Sequence, residues 1–336
     1  HIDTSPVEPI PREALDTLAA TLSSRLRGKG LLWGWTVVRA VEGRRYVVRS
    51  DGTRIREPHR YVAVFSYASV VCKRGVKIED QRQWVAARLE DLPSVQEMAD
   101  ETEAMGLVLQ ARRWARKVPY YQGPVVFEGD AAAQLFIQLL PASLEGTPPP
   151  PESGKSFETL TLAGPRLKRR VLPRGWHVDD DPASTPPGFA GRFLYDEDGV
   201  PAEPVELVRN GLVVDMVMSR APRRDVTWTN GRAREGTGRL TSWRVTAPAG
   251  LTDHGFDRHV DQLRRDNDVH RVLVVRQLDT VDERGGMTPT DAVWRFPDGR
   301  ETPVLALEFQ GVDRRTLHAI AGVTRRVQVK GYLGAM

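Results

Sequence analysis

The sequence predicts an α+β protein: an N-terminal meander-and-helix unit, then a β-rich, largely antiparallel and barrel-like C-terminal unit. Three observations carry this. Helical periodicity is confined to a few runs. A β-branched and aromatic stretch over 33–72 is broken by Glu42-Gly43 and Asp51-Gly52. Gly and Pro number 29 and 24, a supply of turns that suits short strands.

In residues 12–27, Leu15, Leu18, Leu22 and Leu26 recur at helical spacing, and Gly28 and Gly30 end the run. The next stretch reads as a meander of three or four strands with turns at the two acidic-Gly dipeptides, and residues 60–72 are its longest strand. Residues 94–116 read as a helix between Pro93 and Pro119, with Val95, Met98, Met105, Leu109 and Trp114 facing inward. A short buried strand in YYQGPVVFEG precedes a helix starting at DAAAQLFIQLL. Asp130 is its expected N-cap, and Pro141 stands near its end. Four consecutive prolines in 147–155 exclude regular structure there. Beyond them, strands are expected at 169–173, 192–197, 203–209, 212–219, 269–277, 291–296 and 302–310, with helices at 255–267 and 313–321. The expected division is 1–118 and 119–336.

Composition narrows the chemistry. The 48 basic and 44 acidic residues leave a net charge of +4, which weighs against a dedicated nucleic-acid binder. A single cysteine, Cys72, excludes an internal disulfide, a thiolate zinc cluster and an Fe–S site. It reads as a structural thiol in a buried strand. No apolar run reaches membrane-spanning length. One cysteine fits the cytoplasm, and a start at His1 leaves export after signal-peptide removal open.

No HExxH, GxSxG or strand-to-helix GxGxxG is present. His254 and His259 are five apart, about 140° around an ideal helix, so a shared metal would need distortion. Asp179–Asp181 and Asp196–Asp198 read first as turns whose side chains bond nearby backbone, and second as cation ligands. The basic pairs and triplets at 168–170, 223–224 and 325–326 read as solvated edges.

Several segments in order resemble one family. GPVVFEGDAAAQLFIQLLPASLEG (123–146), RRVLPRGWHVDDDP (169–182), RFLYDEDGVPAEPVELVRNGLVVDMVMSR (192–220) with a tight turn at Asn210-Gly211, NGRAR (230–234) and VLVVRQLD (272–279) are similar to TldD/PmbA proteins, also called modulators of DNA gyrase. SDGTRIREPHRYVAVFSYAS resembles an upstream strand region of that family. The resemblance covers roughly 45–310, and the family's usual first N-terminal portion reads as absent or shortened.

Active members of that family are metalloproteases. Two histidines of an HExxxH helix hold zinc, the glutamate is the base, and a C-terminal cysteine completes the site. Aligned through Leu144-Glu145-Gly146, the first histidine position here is Ile137, the glutamate position Gln138 and the second histidine position Ala142. Isoleucine and alanine offer a metal no lone pair, and a glutamine amide takes no proton from water at neutral pH. No cysteine follows Cys72. The resemblance therefore implies a catalytically silent subunit of the TldE/PmbA kind with no metal or cofactor. It would work as a homodimer, or as a heterodimer with a TldD-like metalloprotease, and would support peptide binding or processing. Trp228, Trp243 and Trp294 could serve an interface or simply pack in the core. A second reading keeps an active metallopeptidase or hydrolase with a site rebuilt from His177 beside Asp179–Asp181, or from His254 and His259. A third is a nucleic-acid or gyrase-associated binding protein.

Overall fold

The computed structural model describes all residues except 4–6, 8, 29, 74, 119, 148–165, 222, 224–225, 279–286, 306–307, 310–311, 313–314 and 333–336. The proline run and most of the segment after it lie outside the described residues.

The first part is three antiparallel strands with two helices on one face. Helix α1 spans Arg12–Ser24 and buries Leu18 and Leu22, with Leu26 buried in the turn that follows. Strands β1 (Trp33–Val48), β2 (Arg54–Val71) and β3 (Lys77–Ala86) pair in that order. The meander has three strands because Glu42-Gly43 makes no turn: both stay inside β1, opposite Arg60 and His59. A strand can absorb one glycine when the flanking residues keep pairing. Asp51-Gly52 does turn the chain. Gly52 has φ +91°, and the Asp51 carboxylate accepts from Thr53 N at 3.0 Å.

Helix α2 (Val95–Arg112) opens with a capping box. Ser94 Oγ accepts from Glu97 N at 3.2 Å, and Glu97 Oε2 accepts from Ser94 N at 2.9 Å. Met98, Met105 and Leu109 pack onto the sheet, each burial contributing roughly 1.5–3 kcal/mol. Val95 and Trp114, expected inside, are exposed. Val95 lies in the first turn, off the sheet's edge. Trp114 lies past the helix end, where Lys73 Nζ sits 3.9 Å from its ring centroid.

The second part contains two open sheets rather than a closed barrel. Strands β4 (Arg116–Lys117), β5 (Val125–Phe127), β12 (Val272–Leu278), β13 (Pro289–Arg295) and β14 (Glu301–Leu305) form a mixed sheet ordered β4-β14-β13-β12-β5. Strands β6 (His177–Asp180), β7 (Val205–Arg209), β8 (Leu212–Val213) and β11 (Trp243–Thr246) form an antiparallel sheet ordered β11-β6-β7-β8. A small ribbon pairs β9 (Ala233–Arg234) with β10 (Thr237–Gly238). Helix α3 (Asp130–Leu139) and the turn-length α4 (Pro141–Leu144) join both sheets through one core that includes Leu135, Leu139, Leu140, Leu144, Trp176, Leu207, Met216 and Val275. Helix α5 (Asp253–Asp266) covers the far face of the mixed sheet, where Phe256 and Val260 meet Val126, Val272, Val274 and Val293. Burial on both faces explains the apolar run Val272–Val275 in β12.

Several expected strands are shorter or absent. Residues 169–173 and 192–197 contribute only single bridges, Arg170 to Leu212 and Tyr195 to Pro201. The expected strand 212–219 ends at Val213. Beyond it, Val217 N turns to Leu144 O and Gly146 N to Val217 O, so tertiary partners replace the ladder. The expected helix at 313–321 is one 3-10 turn, Thr316–Ala319, among its described residues. The Asn210-Gly211 turn stands, with φ of +50° and +75°, the pairing that tight hairpins require.

The two parts meet through buried charge. Asp80 on β3 accepts from Arg82 Nη1 at 3.0 Å and from Thr290 Oγ1 at 3.2 Å, while Arg112 Nε reaches Val304 O at 3.5 Å. Asp291 on β13 belongs to the same group, and burial pushes its carboxyl above the usual range.

Candidate functional site

Two sheet edges open into one cleft of ≈ 1860 Å³. Strand β5 is the last strand of the mixed sheet and β11 the last of the antiparallel sheet. Among the described residues each therefore has one side without a strand partner, the arrangement into which an extended chain can add. Between them lie Ala132, Ala133, Phe136 and Ile137 of α3, with Trp176 beside Phe136 at 6.0 Å between ring centroids. Phe256 and Val260 of α5 close a further side.

The start of α3 differs from expectation. Gly129, at φ +57°, takes the cap position, and Asp130 is the first helical residue with no capping bond. Its carboxylate instead pairs with Lys330 Nζ at 2.6 Å. Pro141 interrupts the helix as expected. It has no N–H to offer Ile137 O, and the chain resumes in α4, with Glu145 N bonding Pro141 O at 2.8 Å.

The three residues that the resemblance aligns with the zinc helix part company. Ile137 lines the cleft, Gln138 is half-buried, and Ala142 is exposed beyond the interruption. Their side chains do not suit zinc: two are hydrocarbon, and the third is a neutral amide. Among the described residues, no three of His, Cys, Asp and Glu converge as a metal site. Cys72 is buried, just past the end of β2.

The rebuilt-site candidates are scattered. His177 Nδ1 lies 3.3 Å from Glu206 Oε1, and His259 Nε2 lies 3.2 Å from Ala321 O, while His254 is exposed. The Asp179–Asp181 stretch is only in part the turn expected: Asp181 Oδ1 accepts from Ser184 N at 3.0 Å, as a turn aspartate does. Asp179 and Asp180 lie in β6, and Asp180 is fully buried against Arg232. Burial pushes the Asp180 carboxyl up, while Arg232 and the Ser242 amide pull it down. The signal missed in the sequence was the arginine of NGRAR, 52 residues downstream.

Asp196–Gly199 is a turn, as expected. Asp196 Oδ1 accepts from Val200 N at 2.8 Å and Oδ2 from Ala233 N at 2.9 Å. Of the three tryptophans considered for an interface, Trp294 is core, packed edge-on to Tyr121 at 4.8 Å. Trp243 lines the cleft, and Trp228 is 48% exposed. The basic groups lie apart in role: Arg170 bonds Asn210 O at 3.0 Å, Arg223 approaches Gly146 O at 3.4 Å, and Arg325 bonds Gly250 O at 2.8 Å. No described helix is long and apolar enough to cross a membrane.

The chain is thus an α+β fold whose two open sheets share one helix and frame a cleft, with an interrupted helix along its floor. The family model of the PmbA/TldA metallopeptidase C-terminal domain matches residues 121–335, and the chain belongs to the TldD/PmbA family. Solved structures share the fold. The structure of a candidate modulator of a DNA gyrase from Thermotoga maritima is 13% identical with a TM-score of 0.71, covering 96% of this chain and 71% of that one. A candidate modulator of DNA gyrase from Bacteroides thetaiotaomicron is 13% identical with a TM-score of 0.64, covering 92% and 65%. TldE from Thermococcus kodakarensis is 17% identical with a TM-score of 0.64, covering 98% and 74%. This chain thus spans about two thirds to three quarters of the length of these structures. No curated protein matches it.

Proposed function

We propose that this chain is a catalytically silent TldD/PmbA subunit that binds an extended peptide and works in a dimer, either with itself or with a metalloprotease relative. One observation carries the reading. A cleft lies between the edges of β5 and β11, and the helix flooring it presents Ile137, the residue that the family resemblance aligns with a zinc-binding histidine of active members. Main-chain edges bind peptides through backbone hydrogen bonds and depend little on side-chain identity, so a cleft can keep its ligand after losing its metal. Without the two histidines and the glutamate, the chain has no means of generating a zinc-bound hydroxide at this helix.

Purified chain, loaded with zinc and dialysed, is expected to retain far less than one zinc per chain and to leave unstructured peptides intact. Sedimentation alone and with a TldD-type relative reads the assembly. Stoichiometric zinc together with peptide cleavage lost in Ile137→Ala would reject the silent reading. The buried group at Asp180 and Arg232 gives no support to a rebuilt hydrolase, because every donor of that arginine is already engaged.

A further inference from the structure

The cleft is crossed by the chain itself. From the 3-10 turn, the backbone runs out along α5 and over to the start of α3, and residues 321–332 all line the cleft. Its first anchor is backbone pairing. Leu251 N donates to Val323 O at 2.8 Å, and Arg325 N donates to Leu251 O at 3.0 Å. The second anchor is Lys330 on Asp130 at 2.6 Å, with Tyr332 half-buried beside it. At that end a Cβ on Gly331 would lie 2.7 Å from Val85 O, so the backbone is pressed against β3. Between the anchors the segment is lifted: Val327 is 87% and Val329 65% exposed. Val323 packs against the core at one end, but the middle of the stretch, with Val327 and Val329 in water, is held by little burial.

Its composition is one-sided. Val323–Tyr332 reads VTRRVQVKGY, with three cations and no acid. In an extended chain alternate side chains share a face. Arg326 and Lys330 fall on the same one, and both pair with carboxylates on the cleft's rim, Asp253 and Asp130. The walls also carry Asp179, Asp181 and Asp257, while Arg244 is the lysine- or arginine-type cation that the walls contribute apart from the crossing segment.

We propose that the cleft between β5 and β11 selects cationic, extended peptides, and that residues 323–332 are an internal occupant competing for it. This rests on the peptide-binding reading above and names the ligand's chemistry. A tethered occupant acts at high effective concentration, so an external peptide meets a cleft already partly taken. Exposed ion pairs are screened by salt, so both the internal and the external occupant should loosen as ionic strength rises.

The test uses the full chain and a fluorescein-labelled peptide of residues 323–332, followed by anisotropy at low salt. Arg326→Ala with Lys330→Ala weakens the internal occupant by removing its ion pairs with Asp253 and Asp130. Hydrogen exchange over 323–332 should quicken in that variant, and the peptide should bind it about tenfold or more tightly than it binds the unaltered chain. A peptide with the three cations replaced by glutamate should fail to bind. Equal affinity for both proteins overturns the internal competition. Equal binding of the charge-reversed peptide overturns cationic selection while leaving peptide binding intact. If neither peptide binds a variant whose segment exchanges freely, the peptide reading falls as well.

Discussion

Arg232 Nε donates to Asp180 Oδ2 at 2.7 Å, and neither side chain reaches solvent. The arginine's other donors go to Asn230 O, Gly231 O, Asp180 O and Glu203 O, and Asp180 Oδ1 accepts from Ser242 N at 2.8 Å. One ion pair thus fixes β6, the approach to β7 and the residue that precedes β11, and so sets the edge that faces the cleft.

Arg232→Met should therefore destabilise the protein by about 3–5 kcal/mol, because it strands a buried carboxylate and leaves several carbonyls without donors. Urea denaturation reads the change. Arg232→Lys keeps the charge but not the planar fork, and should recover only part of the loss. A cost under about 1 kcal/mol for the methionine variant would contradict the role given to the pair.

Two glycines with nearly equal φ should respond differently to alanine. Gly236 (φ +76°) has open space where a Cβ would go, so Gly236→Ala should cost only the left-handed strain of about 1–2 kcal/mol. Gly231 (φ +71°) would place its Cβ 2.1 Å from Pro201 O, beside the Arg232 group. Gly231→Ala should lower the melting temperature far more, or leave the protein insoluble.

The turn between β1 and β2 makes a pH prediction. Bonds from Thr53, with Arg220 and Arg49 nearby, hold the Asp51 carboxyl below its ordinary value, at about 2. A depressed carboxylate stabilises the fold above its unfolded value of 3.8 and loses that contribution as pH falls towards about 2. Carbon-detected NMR of the Asp51 carboxyl should show the low midpoint. Thr53→Ala with Arg220→Ala should move it up towards the ordinary value.

The capping box of α2 should be worth about 1 kcal/mol. Ser94→Ala removes the acceptor for Glu97 N and frees Glu97 from its reciprocal bond. Ser94→Asp, which keeps an acceptor, should restore most of the loss in chemical denaturation.

Restoring the family's helix residues should not restore a zinc site. Ile137→His, Gln138→Glu and Ala142→His together place one imidazole on the cleft and another on an exposed turn beyond Pro141, with no cysteine after Cys72 to complete the set. Elemental analysis after dialysis is the check, and one zinc per chain would contradict the geometry.

Most helices were legible in the sequence because leucine and methionine spacing is a local signal. Leu18 and Leu22 in α1, and Met98, Met105 and Leu109 in α2, all bury as their spacing implies. The strands of the second part were less legible. Asp179–Asp181 looks like a turn because consecutive aspartates are polar, yet the first two continue the strand His177–Asp180 because Arg232 neutralises the buried Asp180. Glu42-Gly43 looks like a turn because the dipeptide resembles one, yet its opposite neighbours on β2 keep it extended.

By itself the sequence determined the mixed class of the fold and the resemblance to TldD/PmbA proteins that the family model matches. Those depend on residue identity and short-range spacing. Only the tertiary structure decided that β5 and β11 face one cleft, that Asp180 is buried with Arg232, and that residues 323–332 line that cleft. These relations join positions 50 to 200 apart in the chain, and no local pattern encodes a pairing that forms only when separate sheets pack on one helix.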